Sequence, residues 1–364
     1  MDGKYKVQVI NLRTGEYEEI DYTYINGKTI ISKAFVKGEE LLLVIDEGQL
    51  QTSSKNVQKT QIVLSTTEFD YELNEPNVLP LDYAKYSIDD KDLGYAEFLK
   101  IDKAIREMFG LKERSANNCQ PWFEEKFNKN YHKKLGRVKL EYTFNADIVP
   151  PDAYLMLEDL PNASWEFNGE KLTKSKENAF VEDVCFSRYN LPKRLFSLGL
   201  NKITVAFDFT HACNLETVYL AGTFAVKERT LCAMPQKIRF GDICTQGFPF
   251  YTGKITYKLP VKDGVYDIEH LDFGAACVAS GENISAFMPF AIKKAVAKNG
   301  VLPLSAILLR RNLWGPLHEI PKNHGNYWSG SYRTENEKFT DEYQINQQGI
   351  FSMPKIYIRR EENE

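Results

Sequence analysis

The sequence is poor in the features that mark the commoner functional classes. It has no surplus of positive charge: 46 Lys and Arg stand against 50 Asp and Glu, a formal net charge of −4. A general nucleic-acid binder needs a basic face to displace counterions from phosphates, so nucleic acid is not an expected partner. No apolar run approaches the ~20 residues of a membrane-spanning helix. The opening MDGKYKVQVI lacks the apolar core of a secretory signal. The expectation is a chain with no membrane partner, cytoplasmic as given. The six cysteines (Cys119, Cys185, Cys213, Cys232, Cys244, Cys277) are irregularly spaced, with no Cys-x-x-Cys. That spacing excludes a zinc ribbon or a dithiol redox motif and predicts buried free thiols.

Chemistry-bearing motifs are equally scarce. There is no lysine-ended P-loop, no Gly-x-Gly-x-x-Gly and no Gly-x-Ser-x-Gly elbow, so phosphate cradles and the commonest serine-hydrolase signal are missing. His132, His211, His270, His318 and His324 are scattered; the last two, six apart, share no helical face. Neither a metal site nor a cofactor is expected. Acidic pairs such as Glu158-Asp159 and Glu182-Asp183 fall at strand ends or in loops. Sequence alone places no two carboxyls across a glycosidic bond, so no catalytic residue is assigned.

What the chain does have is material for cores, with 43% hydrophobic and 13% aromatic residues, too many for a disordered chain. KVQVINL, EYEEIDYTYI, KTIISKAFV, ELLLVID and TQIVLS read as short strands. Thr14-Gly15, Asn26-Gly27 and Lys37-Gly38 punctuate them. Asn-Gly between alternating runs predicts a tight hairpin, because both turn residues need positive φ. Residues 1–65 are therefore expected to form an antiparallel meander. Phe35, Leu41, Leu43 and Ile45 lie in runs apolar enough to want cover on more than one face.

Between Gly94 and Gly110 the pattern changes to one amphipathic helix. Phe98, Ile101, Ile105 and Phe109 form its inner face; Lys100, Asp102, Lys103, Arg106 and Glu107 point outward, and Gly110 ends it. Ser115–Lys134 reads as a polar loop anchored by Pro121-Trp122. Strands return at RVKLEYTFNA and continue to KIYI near the end, interrupted by a weak helical run at Phe290–Asn299. A βα barrel needs many more helices than this. Two stretches look like a diverged repeat. One carries Glu141-Tyr142-Thr143-Phe144, Asn168-Gly169 and Gly199-Leu200-Asn201; the other carries Thr256-Tyr257-Lys258-Leu259, Ser280-Gly281 and Gly300-Val301-Leu302. The expected fold is all-β, with tandem antiparallel jelly-roll sandwiches of galactose-binding type and one short helix. Expected boundaries are a meander at 1–65, a first sandwich at 66–228 with the helical insertion at 94–110, and a second at 229–364.

Two segments mix glycine, aromatic rings and hydrogen-bonding groups: Gly241–Gly253 and Arg310–His318. Such a mixture suits a sugar, whose C–H face stacks on a ring while planar polar groups take its hydroxyls. It equally suits a constrained loop whose rings plug the end of a sandwich. The candidate carbohydrate-binding residues are Asp242, Gln246, Tyr251, Arg311, Asn312, Trp314 and His318. Jelly-roll wiring predicts that the two segments meet at one end of the second sandwich. There they would form either a closed clasp, with Arg311 satisfied by Asp242 or by loop carbonyls, or an open platform.

Gly-Asp-x-x-x-Gln-Gly-x-Pro-Phe-Tyr-x-Gly at 241–253, followed by Arg-Asn-x-x-Gly-Pro-x-His at 311–318, resembles the C-terminal part of rhamnosidase-like glycoside hydrolases of the family 106 type. The earlier pieces Asn11-Leu12-x-Thr14-Gly15-Glu16, Glu75-Pro76-Asn77-Val78-Leu79-x-Leu81-Asp82-Tyr83, Gln120-Pro121-Trp122 and Leu215-Glu216-x-x-Tyr219-Leu220-x-Gly222-x-Phe224 fit the same pattern in order. The resemblance implies accessory domains similar to the sugar-binding jelly roll of family 2 enzymes, with catalytic carboxylates on a barrel that no residue here matches. Leu317 stands where that family has the first His of Gly-Pro-His-His. The expected partners are a glycan, such as a plant-type oligosaccharide, and the catalytic barrel of a parent enzyme. The alternatives are an active glycosidase with carboxylates at a domain seam and a ligand-free scaffold.

Overall fold

The computed structural model describes residues 1–12, 15, 17–33, 35, 40–46, 58–114, 121–176, 183–320, 331–332 and 337–360. The expected turns at Thr14 and Lys37-Gly38, Cys119 and His324 lie outside the described residues. Five strands open the chain: β1 (Lys6–Ile10), β2 (Tyr17–Glu19), β3 (Tyr22–Ile25), β4 (Lys28–Ile31) and β5 (Leu42–Asp46). They make a three-stranded sheet ordered β2-β1-β5 and a separate β3-β4 hairpin. Asn26 and Gly27 turn that hairpin with φ of 53° and 75°, the left-handed pair that a two-residue loop demands. Val7 is the one described hydrophobic residue of these strands that is fully buried, at 2% exposure.

The next two strands, β6 (Gln58–Ile62) and β7 (Glu68–Leu73), are followed by β8 (Asn77–Leu81), β9 (Tyr83–Ile88) and β10 (Lys91–Glu97). Helices α1 (Phe98–Met108) and α2 (Pro121–Phe127) come next. The first sandwich is completed by β11 (Gly136–Ala146), β12 (Ala153–Glu158), β13 (Ser164–Phe167), β14 (Glu170–Lys171), β15 (Phe186–Asn190), β16 (Gly199–Phe209), β17 (Val218–Gly222), β18 (Ala225–Lys227) and β19 (Thr230–Cys232). One sheet runs β10-β9-β11-β16-β13-β14, with β19 alongside β11; the other runs β15-β12-β17-β8. Strict alternation along β11 sends Val138, Leu140, Tyr142 and Phe144 into the core shared with Leu155, Leu220 and Leu79 of the facing sheet.

The second sandwich follows: β20 (Ile238–Arg239), β21 (Lys254–Pro260), β22 (Gly264–Glu269), β23 (Phe273–Gly274), β24 (Cys277–Ser280), β25 (Asn283–Ser285), β26 (Ile292–Ala297) and β27 (Val301–Ile307). After it come α3 (Arg311–Trp314), β28 (Gly349–Ile350) and β29 (Lys355–Arg360). Its sheets run β20-β7-β21-β27-β24-β25 and β26-β22-β29-β6. The order β9-β11-β16-β13-β14 thus recurs as β7-β21-β27-β24-β25, and β15-β12-β17-β8 recurs as β26-β22-β29-β6. The repeated sequence pieces occupy matching strands.

The tandem arrangement needs correction. Strands β6 and β7 belong to the second sandwich, so the first is inserted between the second's opening strands and the rest of it. Boundaries at 65 and 229 missed this, because a strand at residue 60 carries no mark of a partner three hundred residues away.

Three local expectations also change. The helix spans Phe98–Met108 and closes as expected: Gly110 has φ 65°, its N–H bonds Glu107 O at 3.0 Å, and Leu111 N–H bonds Arg106 O at 2.8 Å. Asp102 and Arg106, expected outside, are buried as an ion pair at 2.8 Å, with Arg106 also donating to the Cys213 carbonyl. Pro121–Phe127 is a short helix with no buried residue, where a loop was expected; Pro at the first helical position suits it. The run at Phe290–Asn299 contains strand β26: Lys294 takes φ 57°, and a bulge opposite Tyr266–Ile268 adds a residue. That extra residue puts buried Ile292 and Ala295 three apart, a spacing that mimics a helix.

Candidate functional site

The segment Gly241–Gly253 is held by its own side chains. Asp242 caps a 3-10 turn at Ile243–Gln246: its Oδ1 accepts from Cys244 N at 3.0 Å and from Gln348 N at 3.1 Å. Gln246 clamps the loop to β20, accepting from Arg239 N at 2.8 Å and donating to Arg239 O at 3.1 Å. Tyr251 is fully buried; its hydroxyl donates to Lys254 O at 2.7 Å and lies 3.1 Å from Asn74 Oδ1. A Cβ on Gly253 would fall 2.6 Å from that hydroxyl and 2.7 Å from Asn74 Oδ1, so the knot closes only around glycine.

The first half of the second segment completes this knot. Arg310 grips both oxygens of Glu75 at 2.7 and 2.9 Å and donates to Thr252 Oγ1 at 2.9 Å. Asn312 is buried and pairs with the Asn346 backbone through both ends of its amide, at 2.8 Å each, while its Nδ2 lies 3.5 Å from Cys244 Sγ. The two segments therefore meet, as a clasp. Its ion pair is Arg310–Glu75; Asp242 caps its own loop, and Arg311 donates to Pro316 O at 3.2 Å. Asp242, Gln246, Tyr251 and Asn312 serve as structural fastenings.

Trp314 and His318 turn the other way, onto the first sandwich. There they line a cavity of about 480 Å³ together with Asp82, Glu97, Arg114, Glu216, Tyr219 and Tyr332. Asp82 lies in the turn between β8 and β9. Its Oδ1 accepts from the Tyr343 hydroxyl at 2.6 Å and its Oδ2 lies 3.0 Å from His318 Nε2, while Arg229 Nη1 is 3.6 Å from Oδ1. His318 Nδ1 is 2.8 Å from Thr340 O. Carboxylate on one side and carbonyl on the other leave both ring nitrogens to donate, which requires the imidazolium. Burial pulls the His318 pKa down, yet the Asp82 bond, its charge and the Thr340 carbonyl outweigh burial and raise it. Rings of Tyr83, Phe339 and Tyr343 surround this cation at 5.2–5.5 Å.

Glu97 ends β10 and caps α1, its Oε2 accepting from Leu99 N at 2.9 Å and Lys100 N at 3.2 Å. It is 2% exposed. Burial pushes its carboxyl up to about 7, against the pull of those N–H groups and the His318 charge. Glu216 is matched by Arg114 at 2.6 Å, and Arg114 also donates to Leu215 O at 2.8 Å. Trp314 packs edge-on against Phe186 and carries the Arg310 guanidinium 5.6 Å from its ring centre.

Sequence reading singled out Trp314 and His318 but not Asp82, Glu97, Arg114, Glu216, Tyr219 or Tyr332. A signal existed for three of them: Asp82, Glu216 and Tyr219 stand in the motif pieces quoted above, which the fold brings to this one cavity. Glu97 carries no local mark, because its importance comes from the burial of a helix start, and Arg114 none, because its partners Leu215 and Glu216 are distant in sequence.

No protein-family model matches the chain, and no curated protein matches it. Among solved structures it is similar to a β-D-mannosidase from Dictyoglomus thermophilum (13% identity, 63% of this chain and 31% of that chain, TM-score 0.28). It is similar to an FMN-binding β-glucuronidase from Facaelibacterium prausnitzii L2-6 (10% identity, 65% and 34%, TM-score 0.25). It is also similar to a β-glucuronidase from Ruminococcus gnavus (10% identity, 65% and 44%, TM-score 0.23). The chain spans between about a third and under half of those structures' own lengths.

Proposed function

We propose that the chain is an accessory, carbohydrate-holding region of a glycoside hydrolase, and that its ligand occupies the seam cavity rather than the Gly241–Gly253 loop. The observation that carries this reading is the cavity's lining. Trp314, Tyr219 and Tyr332 offer ring surface, while Glu97, Glu216, Arg114 and His318 offer planar polar groups. Its volume falls inside the ~300–1,000 Å³ usual for ligand sites. The α-L-rhamnosidase type of parent enzyme and a plant-type oligosaccharide remain part of this proposal on the motif resemblance. A catalytic barrel would pack on the apolar surface of the first 46 residues, where Phe35 and Ile45 are 58% and 45% exposed. A glycan array probed with the intact chain tests the reading. Binding that falls at least tenfold in Trp314→Ala, with the fold intact, supports it; an array without a single specific hit overturns it.

The catalytic alternative has one specific observation in its favour. Three carboxylates, Asp82, Glu97 and Glu216, surround one cavity, and Glu97 with its carboxyl raised to about 7 has the proton a general acid needs. Against it, Asp82 is saturated by Tyr343 and His318, and Glu97 is occupied in capping α1. Turnover of aryl glycosides that disappears in Glu97→Gln would reverse this preference.

A further inference from the structure

We infer that the seam cavity takes a sugar bearing a protonated amine, with Glu97 as the group that selects it. This deepens the carbohydrate reading and rests on it. It rests on the charge balance of the cavity walls. Among the described residues three carboxylates line the cavity, and two have cations of their own. Glu216 has Arg114 at 2.6 Å. Asp82 has the His318 imidazolium at 3.0 Å, with Arg229 at 3.6 Å. Glu97 has neither. Its Oε2 accepts the two N–H groups that start α1, and no cation among the described residues reaches either oxygen.

A carboxylate only 2% exposed and without an ion pair among the described residues is costly to keep charged. A ligand that brings a cation removes that cost, whereas a neutral sugar leaves it standing and a uronic acid doubles it. The remaining walls fit the same ligand. Trp314, Tyr219 and Tyr332 can stack on the C–H face of a pyranose, and aromatic faces attract an ammonium as well as C–H groups. The two cations at the cavity, Arg114 and His318, are each tied to a carboxylate and a backbone carbonyl. Neither is spare for an anionic sugar.

The test is calorimetric titration of the full chain at pH 7 and physiological salt with four trisaccharides: glucosamine, its N-acetylated form, glucose and galacturonic acid oligomers. The glucosamine trimer should bind at least tenfold more tightly than the acetylated or glucose trimers, and the galacturonate trimer most weakly. Glu97→Gln should erase the tenfold preference. Glu97→Asp, which keeps the charge and the capping chemistry, should retain part of it. Melting curves on both variants establish that they are folded. Equal affinity for glucose and glucosamine trimers, or a preference unchanged in Glu97→Gln, overturns the amine inference while leaving the carbohydrate reading in place. Failure of all four to bind overturns the amine inference, while the carbohydrate reading falls only with an array that shows no specific hit.

Discussion

The two sandwiches have the same strand order and treat particular buried acids differently. In the second, Asp267 of β22 is completely buried at the centre of a four-stranded sheet, and each of the other three strands sends it a partner. Lys59 of β6 reaches it at 2.5 Å, Arg359 of β29 at 2.7 and 3.1 Å, and the Lys294 N–H of β26 at 3.0 Å. Burial alone would raise its pKa, but those bonds and charges bring it down to about 2. In the first sandwich, burial wins at Glu97, Asp102 and Glu158, all raised. One wiring diagram therefore supports a sheet stapled by an over-compensated acid and a seam with an under-compensated one. On the proposed reading, the seam is where a ligand has something to contribute.

The largest expected effect is at the staple. Asp267→Ala should lower unfolding stability by about 3 kcal/mol or more, because it leaves Arg359 and Lys59 facing each other without their acid. Urea unfolding at pH 7 measures it, and a shift in midpoint under a third of that size would show that the four strands do not depend on the pin.

The next effect separates the sandwiches by pH. Asp267 has a folded pKa below its unfolded value of about 3.8, so its contribution is complete above pH 4 and is lost as pH falls towards 2. Glu97 and His318 have folded pKa values above their unfolded ones. Glu97's contribution is complete below its unfolded value of about 4.5 and is lost between there and about 7; His318's is complete below its ordinary value of about 6.5 and is lost as pH rises above it. Backbone amide exchange should then show α1 loosening between about pH 4.5 and 7 and the segment around His318 loosening above about pH 6.5, with β22 and β29 unchanged over both ranges once intrinsic exchange is corrected. Equal slopes in both regions would abolish the contrast.

How much of this the sequence disclosed follows from the range of the forces involved. Hairpins at Asn26-Gly27, Asn168-Gly169 and Ser280-Gly281 were legible because positive φ is a local demand. So was the Gly110 stop. The insertion of one sandwich into the other was not, since β6 and β29 pair across nearly the whole chain. Asp102 and Arg106 look like solvent-facing charges until Cys213 and Leu215 arrive above them. The Arg310–His318 segment stands out in the sequence for its mix of glycine, rings and polar groups, but its division into a clasp half and a cavity half depends on which sandwich each side chain faces.

A smaller effect tests that division. Arg310→Ala should cost about 1 kcal/mol, since the Glu75 pair is bidentate yet partly exposed. Gly315→Ala should cost more: its Cβ would fall 2.4 Å from Arg311 O, so the chain must shift between clasp and cavity. If Gly315→Ala melts like the parent chain, the two halves are not rigidly joined and the clasp cannot position Trp314.

The smallest expected effect comes from the first 46 residues. None of the described ones joins either sandwich core. Their two sheets are hydrogen-bonded to neither sandwich, and Val7 is the one fully buried hydrophobic among their described residues. Small sheets with so little buried apolar surface gain little stability from burial. Deleting residues 1–46 should therefore change the urea stability of the remaining chain by less than about 1 kcal/mol, within the range of surface substitutions. The same deletion should reduce binding of a hydrophobic dye, because it removes the exposed Tyr17, Tyr24, Ile25, Ile30, Phe35, Leu42 and Ile45. A deletion that unfolds the sandwiches would mean that these strands brace the core rather than wait for a partner. Unchanged dye binding would move the search for the barrel-facing surface elsewhere, first to the exposed Trp122, Phe123 and Phe127 of α2.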